Sequence, residues 1–85
     1  MNIDYKILAT LSDPVVKQVL HAVVKGGAVR HRQLLPEGVN HKAVLHAIDY
    51  LKTVELIKET QAPIDDLKTY FVTASGLQAD RMVKG

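Results

Sequence analysis

Apolar residues first recur along this chain at helical spacing. Ile3, Ile7, Leu8 and Leu11 share one face, and Asp4 falls in the first turn, where a negative charge suits the helix dipole. A helix this short is marginal alone. Ser12-Asp13-Pro14 then predicts a new start: a capping side chain, followed by proline at the first helical position, where its missing N–H costs nothing. Val15, Val16, Val19, Leu20, Val23 and Val24 nearly surround the axis of this second helix, as expected of a central core element. Gly26-Gly27 suit a left-handed residue at its end.

The periodicity then shortens. Ala28-Val29-Arg30 is too brief for an independent strand and fits a sheet edge. Residues 31–35 read as one or two helical turns with Leu34 and Leu35 inward, before Pro36 disfavours helical geometry at Leu35. Gly38 can take positive φ in a tight turn. Asn40 caps the next helix, in which Val44, Ile48 and Leu51, flanked by Ala43 and Ala47, form a narrow buried stripe. The opposite face carries His41, Lys42, Leu45, His46, Asp49 and Lys52. Residues 56–60 and 68–72 have strand character and predict an antiparallel hairpin. The segment between them, with Pro63 and Asp65-Asp66, is its loop. Thr73 caps a last helix carrying Leu77, Met82 and Val83. The order α–α–β–α–α–β–β–α predicts an α+β fold of the winged helix-turn-helix type: a three-helix core, a β-hairpin wing and a C-terminal helix, in one domain over residues 1–85.

Composition narrows the chemistry. With 85 residues the chain has room for one small domain, and 47% hydrophobic residues suffice for a core. The absence of cysteine excludes disulfides and thiolate metal sites and points to a reducing, cytoplasmic compartment. No apolar run is long enough to span a membrane, and Asp4 and Lys6 interrupt the apolar start, so neither a membrane partner nor a secretory leader is expected. A net charge of +2 permits contact with a phosphate backbone without demanding it. No nucleophile–base pair, glycine-rich phosphate loop or paired catalytic carboxylates stand out, so an enzyme is not expected. His41 and His46 are five residues apart, not the four of a helical chelate, and no further ligand joins them; no metal or other cofactor is expected.

Two helices joined by a turn around Gly38 form a helix-turn-helix unit, whose second helix presents the polar tips of its N-terminal half to the DNA major groove. Asn40, His41, Lys42, Leu45 and His46 occupy that half. Lys42 suits guanine or phosphate, the histidines suit either, and Leu45 suits a thymine methyl. The same pattern also fits the solvated face of an ordinary core helix. Arg30, His31 and Arg32 form the densest positive cluster, and at a helix start they suit phosphate. Lys58 and Lys68 lie near the base of the hairpin, whereas Asp65-Asp66 near its tip would be repelled by DNA.

At these residues the chain resembles the winged-helix transcription regulators of the ArsR, MarR and PadR type. Leu11-Ser12-Asp13-Pro14 with Val19-Leu20 is similar to the L-x-D-P…I-L opening of ArsR-like proteins. Asn40, Val44, Ile48 and Leu51 fall where that group has its cap and stripe, and Leu56-Ile57 resembles the start of its wing. Residues 70–76, Y-F-V-T-A-S-G, are similar to the Y-x-L-T-x-x-G that leads into its last helix. Glu55 stands where the group usually has glycine, Asp49 where it often has a basic residue, and the cysteine pair of its metal sensors is missing. The resemblance implies sequence-specific binding of double-stranded DNA by a small transcription regulator, with the recognition helix running from the Asn40 cap to Thr53. The alternative is a protein-interaction winged helix in a replication or transcription assembly. A homodimer is expected through Ile3, Ile7, Leu8 and Leu11 at one end and Leu77, Met82 and Val83 at the other, some of which must also cover the core of the monomer; the alternative is a monomer whose last helix simply packs on its own core.

Overall fold

A computed structural model describes residues 5–64 and 67–83. Ile3, Asp4, Asp65 and Asp66, which figured in the expectations above, lie outside the described residues. Helix α1 (Tyr5–Leu11) buries Ile7 and Leu11. Its end is closed by the Ser12 and Asp13 amides donating to the Ala9 and Thr10 carbonyls. Helix α2 (Pro14–Gly26) starts with proline at its first position, and the Asp13 carboxylate accepts the Val15 N–H at 2.9 Å. It ends at Gly27, whose φ of 75° is a conformation that few residues except glycine adopt. Val16, Val19, Leu20 and Val23 are buried, and α2 packs on α1, α3, α4 and two of the three strands, which makes it the axis of the core.

Strand β1 (Ala28–Arg30) follows, then a single 3-10 turn (His31–Leu34), the shorter of the two lengths expected. Leu34 is buried and Leu35 half-buried; Leu35 leaves helical geometry with ψ of 52°, as the residue before proline tends to do. Gly38 has φ of 90° in the turn. Helix α3 (His41–Thr53) is capped by Asn40, whose side-chain oxygen accepts the Ala43 N–H at 3.1 Å. Its buried stripe is Val44, Ala47, Ile48 and Leu51, set against α2.

Strands β2 (Ile57–Glu59) and β3 (Thr69–Val72) form the hairpin, and β1 adds to its far side. The order is β1-β3-β2, all antiparallel, with Val29 opposite Tyr70 and Tyr70 opposite Glu59. One face of this sheet covers the core with Val29, Ile57 and Tyr70.

Between α3 and β2 the chain reverses in a Schellman turn. The Leu56 N–H donates to the Leu51 carbonyl and the Glu55 N–H to that of Lys52, while Leu51 and Leu56 are both fully buried. Glu55 sits at the left-handed position with φ of 62°, the one non-glycine residue with positive φ among those described. Helix α4 (Ala74–Val83) is tied to this turn. The Thr73 N–H donates to the Leu56 carbonyl, its hydroxyl donates to the Glu55 carbonyl at 2.7 Å, and the same oxygen caps the Gly76 N–H at 3.0 Å. Gly76 packs so closely that a Cβ there would collide with the Leu56 carbonyl oxygen and lie 2.7 Å from Val72 Cγ2. The inward face of α4 is Gly76, Ala79 and Asp80. Of the three apolar residues expected on this helix, Leu77 and Met82 are 40% and 49% exposed, and Val83 packs against the core.

Candidate nucleic-acid interface

The cap at Asn40 and the stripe against α2 fix the rotation of α3, and so decide which side chains point away. His41, Lys42, Leu45, His46 and Asp49 are all exposed, Leu45 by 44%. They form one continuous face opposite the core, as the spacing predicts. Lys42 and His46 edge a shallow groove of about 390 Å³ that runs towards Asp13 at the start of α2. His41 is partly committed, since its Nε2–H donates to the Pro36 carbonyl at 3.2 Å and staples the helix to the preceding turn. Lys52 belongs to a different site: its ammonium meets Glu59 across the gap to β2 at 2.9 Å.

The Arg30-His31-Arg32 cluster divides. Arg30 and Arg32 are exposed. His31 turns inward, is 8% exposed, and shares a 2.8 Å hydrogen bond between its Nδ1 and the Tyr70 hydroxyl. This corrects its expected place among phosphate contacts: Val29 faces the core, so the alternation of the strand carries Arg30 out and His31 in. Nor are the first amides of this turn free for an anion. The Arg30 N–H is taken by Gln33 Oε1 at 2.8 Å and the His31 N–H by the Lys68 carbonyl at 2.9 Å.

Lys68 is half-buried and lies 3.5 Å from Glu59, which therefore bridges two lysines from α3 and the wing. Burial pushes the Glu59 carboxyl up, but the Lys52 hydrogen bond and charge, aided by Lys68, outweigh it and hold the group below its usual value. The sequence carried no signal for this bridge, because its partners meet only once the hairpin forms. A second pair also escaped it: Asp80, only 5% exposed, accepts from His21 Nδ1 at 3.3 Å across the α2–α4 contact. Among the described residues every buried side-chain polar atom has a partner, and no three potential metal ligands cluster.

No family model and no curated protein sequence matches the chain. Solved structures do. The reduced form of the transcriptional regulator YodB from B. subtilis superposes with a TM-score of 0.72 at 15% identity, covering 98% of this chain and 86% of that one. A cysteine-to-serine mutant of MarR from E. coli complexed with operator DNA gives 0.69 at 15% identity, over 88% and 56% of the two chains. A cysteine-to-serine mutant of Lactococcus lactis ZitR gives 0.69 at 15%, over 96% and 53%. The fold is a MarR-type winged helix. This winged helix spans most of YodB but little more than half of the MarR and ZitR chains. Among its described residues no single helix is long and apolar enough to cross a membrane.

Proposed function

We infer that the chain binds double-stranded DNA as a transcription regulator, with α3 as the helix that enters the major groove. The observation that carries this reading is the rotation of α3: its apolar stripe is spent on α2, and His41, Lys42, Leu45 and His46 are left exposed at the half nearest the Asn40 cap. Arg30 and Arg32, exposed beside the turn, are the proposed phosphate contacts, and Lys68 a weaker one because Glu59 partly neutralises it. The likeness to a MarR structure complexed with operator DNA supports the reading. A dimer completes it, since two half-sites multiply the specificity of one helix and require the two α3 helices to lie about 34 Å apart. Ile7 and Leu11 belong to the monomer core, so the proposed contact rests on Leu77 and Met82, with half-buried Leu8 and Val83.

The test is a titration of mixed duplex DNA over a range of salt with the wild type and Lys42→Ala. Affinity should fall steeply with salt. Lys42→Ala should cost about 1–3 kcal/mol if the side chain reads a base edge, or lower the salt slope by about one if it meets phosphate alone. Equal binding by the wild type and a Lys42→Ala/His46→Ala double variant would remove α3 as the reader. A second reading, docking of a protein through Leu45, is favoured by the exposure of that leucine and by the exposed Asp49 on the same face. It predicts no salt-sensitive affinity for duplex DNA.

A further inference from the structure

The sheet has a second face, turned away from the core, of which the reading above uses only Arg30. Register and alternation place six residues on it in two rows: Ala28, Phe71 and Lys58 in one, Arg30, Thr69 and Thr60 in the next. Phe71 is the only phenylalanine of the chain, stands on the central strand, and is 40% exposed. Its neighbours Ala28, Thr69 and Thr60 are small. Arg30 and Lys58, on the two edge strands, are exposed cations at opposite corners of the grid. None of the six is acidic; the nearby Glu59 points to the other face, towards Lys52 of α3. The support beneath is stiff, because Tyr70 next to Phe71 is 1% exposed and hydrogen-bonded to buried His31.

We propose that this outer face of the sheet is a stacking platform for single-stranded nucleic acid: a base lies on the Phe71 ring while the phosphates on either side of it meet Arg30 and Lys58. An uncovered aromatic ring between two cations matches the two features every unpaired nucleotide offers, a flat π-face and a flanking negative charge, without regard to sequence. A base inside a duplex has its faces occupied by its neighbours and cannot use the ring. The platform shares Arg30 alone with the duplex reading, and Phe71 and Lys58 belong to it only, so variants at those two test it whatever α3 binds.

The experiment measures anisotropy of labelled oligothymidylate and oligouridylate at low salt with the wild type, Phe71→Leu and Lys58→Gln, and follows the emission of Phe71→Trp during the same titrations. Phe71→Leu keeps an apolar strand residue, and its melting curve checks that the fold is retained. Binding by the wild type, a loss of about tenfold or more in Phe71→Leu, quenching of Phe71→Trp by the oligonucleotide, and a smaller salt slope in Lys58→Gln are expected. Affinity of Phe71→Leu equal to the wild type would overturn the proposal. So would the absence of single-strand binding, or a Phe71→Trp emission that changes with protein concentration and ignores the oligonucleotide, which would make a second copy of the chain the occupant of this face.

Discussion

Glu55 holds the left-handed position of the Schellman turn with φ of 62°, and replacing it by glycine should stabilise the protein. A side chain there brings Cβ against its own carbonyl and costs roughly 1–2 kcal/mol relative to right-handed geometry. Glycine escapes that cost but adds about 0.4–1 kcal/mol of chain entropy to the unfolded state. The Glu55 carboxylate also lies just past the C-terminus of α3, where a negative charge is unfavourable by a few tenths of a kcal/mol. The balance for Glu55→Gly is a gain of about 0.5–1 kcal/mol, which for a domain of this size raises Tm by roughly 2–8 °C. Thermal unfolding followed by circular dichroism at neutral pH measures it. Glu55→Ala is the control: it removes the charge but keeps the strained backbone, so the difference between the two variants isolates the conformational term. A Glu55→Gly protein no more stable than Glu55→Ala would refute the reasoning, and would mean that the chain relaxes this turn at little cost.

Ile48→Ala should cost about 2–5 kcal/mol, because Ile48 is 3% exposed in the α2–α3 contact; an unchanged denaturant midpoint would contradict that placement. Gly76→Ala should cost about 3 kcal/mol or more, since its Cβ would meet the Leu56 carbonyl and backbone on both sides would have to shift; refolding yield and Tm both report it. The Glu59 bridge predicts a pH dependence. Its folded-state pKa lies below the ordinary value of 4.5, so the stabilisation it gives is complete above that pH and is lost as the pH falls through the lower folded value. Glu59→Gln should therefore be less stable than the wild type at neutral pH, by about 1 kcal/mol at most, and the gap should close in acid.

Much of this fold was legible because it rests on local chemistry. Pro14 behind Asp13, Asn40 ahead of the Val44–Ile48–Leu51 stripe, and Gly27 and Gly38 at positive φ are choices a short stretch of chain makes for itself. The exposed face of α3 followed from its buried one. What the sequence hid depends on partners far along the chain. By hydrophobicity Phe71 should be inside and Tyr70 outside; the reverse holds, because Tyr70 aligns with Val29 and finds His31 for its hydroxyl 39 residues away. Leu77 and Met82 look like core residues, yet α4 turns Gly76 and Ala79 inward because it lies against backbone, and it admits Asp80 because His21 waits across the contact. Lys52 and Lys68 look like isolated cations until Glu59 is placed between them.

The turn at Glu55–Leu56 also links these local choices to the proposed function. It sets the direction in which the chain leaves α3 for the wing. Thr73 bonds to both of its carbonyls, and Gly76 lets α4 rest on one of them. Helix α3, the hairpin and the proposed dimer helix α4 are thus oriented at one point within a few residues of one another. In a two-fold dimer, a small tilt of α4 at this point is multiplied along the distance to each α3, so the spacing of the two reading helices depends on contacts that touch no DNA. If the proposed function holds, Thr73→Ala should alter the preferred separation of half-sites, read with duplexes of varied spacing, before it alters affinity for a single half-site.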